Sequence, residues 1–231
     1  MKMLKTVKRF LSTYKHGFWI LAYMIFYMLG FYILEHAGHR HYHVIHSVFD
    51  DMIPFCEYFI IPYCLWFVYL FVGICWFIFF CRDRREYYKV VSVLAIGMTV
   101  FLIVSCVFPN QQDLRPAVFA NSNIFTRMVE ALYRTDTATN ILPSIHVFNS
   151  VVLFIALNRS PQLQPYRMVR FLTGLLSVMI VLSTMFLKQH SVVDVSLGIL
   201  MSAAVQMFCD RVFAGEEQER KLRRAGLRRI S

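Results

Sequence analysis

The sequence predicts an all-α integral membrane protein, in which six transmembrane helices form one bundle with both termini cytoplasmic. Of its 231 residues, 58% are hydrophobic and only 16% are charged, which is more apolar than a soluble core of this size requires. Several apolar runs reach the length of about 18 residues at which a helix can cross a bilayer. No internal repeat or flexible linker interrupts the chain, so residues 1–231 are predicted to form one membrane domain.

The six predicted spans follow these runs in order. The first run is preceded by a basic stretch and lacks a small-residue cleavage pattern, so we interpret it as a span and not as a removable signal peptide. The fourth run is the shortest. The predicted spans are residues 18–34, 59–80, 90–108, 143–157, 171–187 and 192–209.

The basic residues predict the orientation, because Lys and Arg that flank spans are retained on the cytoplasmic side. Placing alternate connections inside collects 19 of the 24 basic residues there, including a charged tail at about 211–231. The formal charge of +10 then reflects topology and attraction to anionic lipid. No nucleic-acid-binding motif is present, so a nucleic-acid partner is not expected.

Two connections on the opposite side are long, 35–58 and 109–142. Residues 123–133 of the second are predicted to form an interfacial helix, because its apolar side chains fall on one face. Pro143 and Ser144 are typical of a helix start. His146 therefore belongs to the first turn of the fourth span.

The candidate chemistry lies at this same side of the bundle. His190 and Asp194 are four residues apart, which puts them on one helix face, where the carboxylate can hold the imidazole with one nitrogen free to attack. The topology brings His146 to the same face, and Arg115 and Lys188 lie at the same depth. Together these residues predict a site for a phosphate ester at helix starts, where backbone N–H groups favour an anion. The alternative for His190 and Asp194 is a capping or interhelical hydrogen-bond pair.

Three short segments give this pattern a family resemblance. "LRP" (114–116), "PSIH" (143–146) and "STMFLKQHSVVD" (183–194) resemble, in order and spacing, the motifs of the type 2 phosphatidic acid phosphatase superfamily, Lys-x6-Arg-Pro, Pro-Ser-Gly-His and Ser-Arg-x5-His-x3-Asp. The resemblance covers about residues 50–205. The segment "DDMIPFCEYFIIPYCLW" (50–66) is similar to the branch related to inositol phosphorylceramide synthases.

The resemblance implies roles for individual residues. His190 would attack phosphorus to form a phosphohistidine while Asp194 orients it, and His146 would protonate the leaving alkoxide and then activate the acceptor. Arg115 and Ser144 would hold the phosphoryl oxygens. Arg115 has an alternative as an anchor to lipid headgroups, and Ser144 one as a helix N-cap. No metal or cofactor is implied.

Three motif positions differ from the family pattern. Phe108 stands where the family has lysine, Ile145 where it has glycine, and Thr184 where it has arginine. Two phosphate-binding cations are therefore missing. Lys188 is the candidate replacement for one of them as a phosphate ligand, and Arg134 for the other.

The histidine-rich stretch "EHAGHRHYHVIH" (35–46) and the six cysteines are the remaining candidate ligands. The first offers histidines at spacings that suit a transition metal, but no nearby cysteine or fixed carboxylate completes a convincing ligand set, so an interfacial loop is the preferred interpretation. These histidines are His36, His39, His43 and His46. The cysteines lack a CxxC spacing and are interpreted as packing residues.

The expected function is hydrolysis of a lipid phosphate monoester or diphosphate at the outer face of the membrane, in a plasma membrane protein whose partners are the bilayer and its lipid substrate. One alternative is a phosphotransferase that moves a phospho-headgroup to a lipid hydroxyl. Another is a non-catalytic binder of lipid phosphate. A transporter is disfavoured, because the ionisable residues cluster at one face and do not line the span interiors.

Overall fold

The computed structural model describes residues 12–37 and 41–224, and 74% of it is helical. The basic residues from Lys2 to Arg9, His39 and Arg40, and the tail beyond Arg224 lie outside the described residues. The α-helices are α1 (Gly17–Glu35), α2 (Val48–Met52), α3 (Ile60–Phe79), α4 (Arg84–Val107), α5 (Ile124–Thr135), α6 (Ile145–Arg159), α7 (Arg167–Phe186) and α8 (Val192–Arg224). Short 3₁₀ helices at Glu57–Phe59 and Pro161–Leu163 precede α3 and α7.

Five of these helical segments are long and apolar enough to cross a membrane: Gly17–Glu35, Glu57–Phe79, Arg84–Val107, Arg167–Phe186 and Val192–Glu219. Helix α6 is apolar but has only 15 residues, a length of roughly 22 Å against a hydrocarbon thickness of about 30 Å. The helices coincide with the six predicted runs. Three extend further: α4 begins six residues earlier than predicted, after an Asp83 cap, α7 begins four residues earlier, and α8 continues past residue 209.

The outer surface of these helices carries large apolar side chains. Trp19 of α1 is 69% exposed, Phe71 of α3 70% and Leu200 of α8 64%. Soluble proteins rarely leave contiguous apolar patches of this kind in water. This surface, together with the helix lengths, indicates a membrane protein.

Helix α6 is the central helix, and it packs against α3, α4, α7 and α8. Phe148, Val152 and Leu153 on α6 are fully buried. An added Cβ at Gly97 of α4 would lie 1.9 Å from the Phe148 ring, so a larger residue there would displace the ring. Because protein and not lipid covers most of α6, the shortest apolar helix forms the core that positions the site.

The helices alternate in direction, which gives the bundle two chemically different ends. We call the end where α6 and α8 begin the histidine end, since it holds His146 and His190. The other end, the arginine end, holds most of the described basic side chains, among them Arg85, Arg159 and Arg167. The predicted grouping of basic residues at one end of the spans is therefore observed for the described residues.

Loops at the histidine end are tied together by a two-stranded parallel sheet, β1 (His43–Val44) and β2 (Asn110–Gln111). Gln111 also forms an antiparallel bridge with Thr139. The sequence did not predict these strands, because two residues are too short for a periodic signal. A helix at the predicted residues 123–133 is confirmed as α5, which begins after an Asn123 cap.

Candidate active site

A line of three side chains lies at the histidine end, where α6 and α8 begin side by side. His190 Nδ1 lies 2.6 Å from Asp194 Oδ2, and His190 Nε2 lies 3.3 Å from His146 Nδ1. His190 is in the turn between α7 and α8, Asp194 is in the first turn of α8, and His146 is in the first turn of α6. All three predicted catalytic residues are thus brought into contact.

The contacts determine where the protons of neutral imidazoles must lie. A carboxylate only accepts hydrogen bonds, so His190 donates its Nδ1–H to Asp194 and keeps a lone pair on Nε2. The hydrogen bond to His146 then requires the proton on His146 Nδ1. His190 therefore presents a nucleophilic nitrogen, and His146 presents an N–H donor beside it.

Two backbone features hold α6 against α8 at this point. The Ser144 N–H donates to the Asp194 carbonyl over 3.0 Å. An added Cβ at Gly198, one turn further along α8, would lie 2.8 Å from the Ser144 carbonyl oxygen. This close approach is possible because Gly198 has no side chain, and it sets the separation of the two histidines.

The turn that carries His190 is fixed from several sides. Within the turn, the His190 N–H donates to the Thr184 carbonyl at the end of α7 over 3.0 Å. Tyr133 of α5 donates its hydroxyl to the Leu187 carbonyl at 2.7 Å, and the Gln112 side chain donates to the Lys188 carbonyl at 3.0 Å. A turn held in this way fixes the orientation of the imidazole.

A cavity of about 290 Å³ opens in front of the histidines. Its wall nearest the site carries Asn140, Gln189 and hydroxyl-bearing side chains of the loop before α6. The rest is apolar and aromatic, with contributions from α1, α3 and α4. A ligand with a polar group and an apolar body fits such a wall.

Two aromatic rings of α3 confine His146. The Tyr63 ring centroid lies 4.9 Å from that of His146, and the Trp66 centroid lies 4.3 Å from it. The Tyr63 hydroxyl donates to Asp136 Oδ2 at 2.7 Å, which fixes its ring. The rings therefore restrict the orientation of the predicted general acid.

Arg115, a predicted phosphate ligand, directs its guanidinium towards the end of α5 and the loop that follows it. It donates to the carbonyls of Tyr133, Asp136 and Thr137 and to the Gln189 side chain, and it stacks on the Tyr133 ring at 4.4 Å. Burial lowers its pKa, while nearby Asp136 raises it. In this arrangement Arg115 joins α5 and the following loop to the turn of His190.

The other two predicted phosphate-binding residues also have protein partners. Lys188 donates from Nζ to the Asp50 carbonyl at 2.6 Å and has a positive φ of 51°, in a region that non-glycine residues seldom adopt. Ser144 is fully buried and is the N-cap of α6, where its hydroxyl accepts from the Val147 N–H. The N-cap alternative for Ser144 is confirmed. Arg134, the further candidate cation, is exposed on α5.

The three positions that depart from the family motifs have ordinary packing roles here. Phe108 stacks on His43, with ring centroids 4.5 Å apart. Ile145 is buried and lines the cavity. Thr184 is fully buried and donates to the Val181 carbonyl within α7.

Three of the four candidate metal ligands in the 35–46 stretch are described, and each contacts a different neighbour. His36 stacks on Tyr32 at 4.1 Å, and His43 stacks on Phe108. His46 lies between two carboxylates, Asp113 Oδ1 at 3.2 Å from Nδ1 and Asp51 Oδ1 at 3.1 Å from Nε2. These hydrogen bonds, that to Asp113 foremost, raise the pKa of His46.

Residues that the sequence did not identify also build the site. Tyr63 and Trp66 fall in an apolar run, where aromatic residues are common and carry no distinct signal. Asn110 is fully buried, and its Oδ1 accepts from the N–H groups of Ile141 and Leu142, which fixes the loop before His146. Asp50 is buried in α2 beside the turn of His190. Three of these four residues lie in the segment 50–66. The resemblance of that segment to a known family was the one sequence signal that could have identified them.

No family model, curated protein or solved structure matches the chain.

Proposed function

We propose that this protein is a metal-independent membrane enzyme that cleaves a lipid phosphate monoester or diphosphate through a phosphohistidine on His190. The observation that carries the proposal is the contact of His190 with Asp194 on one nitrogen and with His146 on the other, at the end of a cavity with an apolar wall. The motif resemblance to the type 2 phosphatidic acid phosphatase superfamily supports the same roles. If His190 and Asp194 formed only a structural hydrogen-bond pair, the additional contact of His190 with His146 would not be needed.

The first step is attack of the His190 Nε2 lone pair on phosphorus. The bond between phosphorus and the lipid oxygen breaks, and the leaving oxygen takes the Nδ1 proton of His146, which enters this step as imidazolium and leaves it as neutral imidazole. Asp194 stabilises the positive charge that develops on His190. Since the two imidazole nitrogens are 3.3 Å apart, phosphorus enters from the cavity side and His146 turns towards the leaving oxygen.

In the second step water attacks the phosphohistidine. His146, now a neutral imidazole, takes a proton from that water and becomes imidazolium again, while the bond between phosphorus and nitrogen breaks and phosphate leaves. His190 and His146 return to their starting protonation states. The backbone N–H groups at the start of α6 are the proposed contacts for the phosphoryl oxygens, with Ser144, Arg115 and Lys188 available only by exchange of their present partners.

The shape of the cavity supports a lipid substrate. Met28 of α1 and Phe67 of α3 line it and are 55% and 60% exposed on the outer surface, while α1 packs chiefly on α4. The cavity therefore reaches the lipid-facing surface between α1 and α3. We propose that the phosphate reaches His190 while the acyl chains stay in the bilayer.

A second candidate is the phosphotransferase, in which a lipid hydroxyl takes the place of water. Among the described residues that line the cavity there is no Lys or Arg, and the polar ones are amides, hydroxyls, histidines and Asp136. A phosphodiester carries one negative charge where a monoester carries up to two, so it needs less compensation. This favours transfer of a phospho-headgroup between lipids as the competing reaction.

For the arrangement in the membrane we propose six spans with α6 as the fourth, cytoplasmic termini and an active site on the extracytoplasmic side of the plasma membrane. The basic side chains at the arginine end support this orientation. The short α6 fits within it because neighbouring helices cover it.

The test measures phosphate release from phosphatidic acid, lysophosphatidic acid, sphingosine phosphate and polyprenyl diphosphate, with EDTA present. Wild type, His190→Ala and His43→Ala are compared, since His43 is exposed at the same end and does not line the cavity. A parallel assay follows headgroup transfer from a diester phospholipid to a lipid alcohol. Acid-labile phosphate on His190, detected by mass spectrometry, identifies the intermediate.

Release that persists in EDTA, disappears in His190→Ala and remains in His43→Ala is the expected result. Release by His190→Ala at the wild-type rate would refute the assignment of the nucleophile. Headgroup transfer without release would favour the second candidate. No reaction in either assay would overturn the enzymatic proposal and leave binding of lipid phosphate.

A further inference from the structure

Asp50 is a buried carboxylate next to the candidate site that the proposed mechanism does not use. It lies in the short helix α2 and is 2% exposed. Its Oδ1 accepts from the Val192 N–H at 2.7 Å, and its Oδ2 accepts from the Ser191 hydroxyl at 2.6 Å. These partners are 141 and 142 residues away in sequence and directly follow His190.

The contacts of Asp50 complete the start of α8. The first N–H groups of a helix have no partner within it, and a carboxylate there is also favoured by the helix dipole. Ser191 caps α8 from within, since its Oγ accepts from the Val193 N–H at 3.1 Å. Asp50 supplies the cap for Val192 and orients the Ser191 hydroxyl. The helix that carries Asp194 is therefore capped partly by a side chain from another segment.

Asp50 is itself held in place. Its Oδ2 also accepts from the Ser47 N–H at 2.7 Å, as part of the capping box of α2. Its carbonyl accepts from Lys188 Nζ at 2.6 Å. Asp50 thus contacts the turn of His190 on both sides of the histidine, at Lys188 and at Ser191 and Val192.

We infer that Asp50 is a positioning residue for His190: by fixing the main chain from Lys188 to Val192, it sets where the His190 imidazole lies relative to His146 and the cavity. This inference rests on the proposed function. Asp194 then orients the ring through the side chain, and Asp50 orients it through the backbone. The energetic reason is that a reacting nitrogen must be held close to its productive position before substrate binds.

Asp50→Asn is the direct test. The amide has nearly the same size but presents NH₂ where Oδ2 now accepts from Ser47 and Ser191. Asp51→Asn is the matched control, because Asp51 is the next residue, carries the same charge and is exposed, with His46 as its partner. We expect kcat of Asp50→Asn to fall by roughly 10- to 100-fold, the range that a displacement approaching 1 Å produces, with KM within about twofold. Asp51→Asn should keep the wild-type kcat.

Ser191→Ala is the second variant, in case Asp50→Asn folds poorly. It removes one bond to Asp50 and the Ser191 cap on the Val193 N–H but leaves the bond from Val192 to Asp50, so we expect a smaller fall in kcat. Because both variants act through the same turn, the double variant should lose no more kcat than Asp50→Asn alone. A purely structural role would lower the amount of folded enzyme and leave the kcat of the folded fraction unchanged. Single-turnover formation of phosphohistidine should show the same slowing as kcat.

Hydrogen exchange gives a readout that does not depend on activity. Peptides that contain residues 188–195 should exchange faster in Asp50→Asn than in Asp51→Asn, while the remaining helices keep their protection. Activity that is lost in His190→Ala but retained in Asp50→Asn would overturn this inference and leave the proposed function intact. Absence of phosphate release or headgroup transfer in the wild type would remove both.

Discussion

Gly198 of α8 offers a sharp test of how the two histidines are brought together. The helix passes so close to the start of α6 that a Cβ at Gly198 would lie 2.8 Å from the Ser144 carbonyl oxygen and 3.2 Å from the Val147 Cβ. Ordinary contacts begin at 3.4 Å. Gly198→Ala therefore requires α6 and α8 to separate by about 0.6 Å, because the nearest atom is backbone and cannot rotate away.

The magnitude follows from two opposing terms. Overpacking of this kind costs about 1–3 kcal/mol, whereas replacing glycine by alanine inside a helix contributes about 1 kcal/mol in the other direction. We expect a net destabilisation of about 1 kcal/mol, which corresponds to a fall of roughly 2–4 °C in the unfolding midpoint of a chain of this size. A separation of about 0.6 Å between His146 and His190 should reduce kcat by roughly tenfold.

Gly215→Ala is the matched control, since Gly215 lies in the same helix and a Cβ there meets nothing within 4 Å. It should raise the midpoint by the propensity term alone and leave kcat unchanged. Both variants would be compared with wild type by thermal unfolding in detergent and by phosphate release. If Gly198→Ala and Gly215→Ala raised the midpoint equally, α6 and α8 would not be in the close contact described. A normal kcat in a destabilised Gly198→Ala protein would show that the histidine separation is set elsewhere.

Three further predictions concern lipid entry between α1 and α3, the hydrogen bonds of Arg115 to the loop after α5, and the pH dependence of stability. Met28→Trp should narrow the opening between α1 and α3. We expect kcat/KM for long-chain lipid phosphates to fall by about tenfold or more, while that for a short-chain soluble ester stays unchanged. An equal loss for both esters would argue against entry from the bilayer. Arg115→Lys keeps the charge but loses most of the loop hydrogen bonds, so it should cost about 2 kcal/mol of stability with little change in KM. A raised KM with an unchanged unfolding midpoint would instead indicate a phosphate contact. Protonated His46 forms ion pairs with Asp113 and Asp51, which raise its pKa above 6.5. The stabilisation from these pairs is therefore complete below pH 6.5 and is lost as pH rises through the raised pKa. Unfolding midpoints measured across pH should show this loss in wild type, and an identical profile in His46→Gln would contradict it.

The helices and their order could be predicted from the sequence because the signals are local. An apolar run of span length is visible in one window, as for residues 18–34, and a cap such as Asn123 needs only the next few residues. The pairing of His190 with Asp194 is equally local, since His190 lies just before α8 and Asp194 lies in its first turn. The structure contains the corresponding helices and the 2.6 Å contact.

Contacts between distant segments could not be predicted in the same way. The sequence predicts Arg115 as a phosphate ligand but does not show that its guanidinium donates to the carbonyls of a loop about 20 residues later. It likewise predicts Lys188 as a phosphate ligand but does not show that its Nζ donates to the Asp50 carbonyl, 138 residues away. The sequence shows that a cation is available at the right depth, but hydrogen-bond partners depend on where the loops close.

The sequence by itself determined the membrane-type helices, the basic and histidine ends and the identity of three residues able to do chemistry, because each follows from composition or from spacing within one element. Only the tertiary structure decided that His146 meets His190, that Asp50 caps α8 and that a cavity opens between α1 and α3. These features arise where elements far apart in sequence pack together. Their geometry depends on side-chain volumes, such as the absent side chain of Gly198, and on backbone partners that no local pattern encodes.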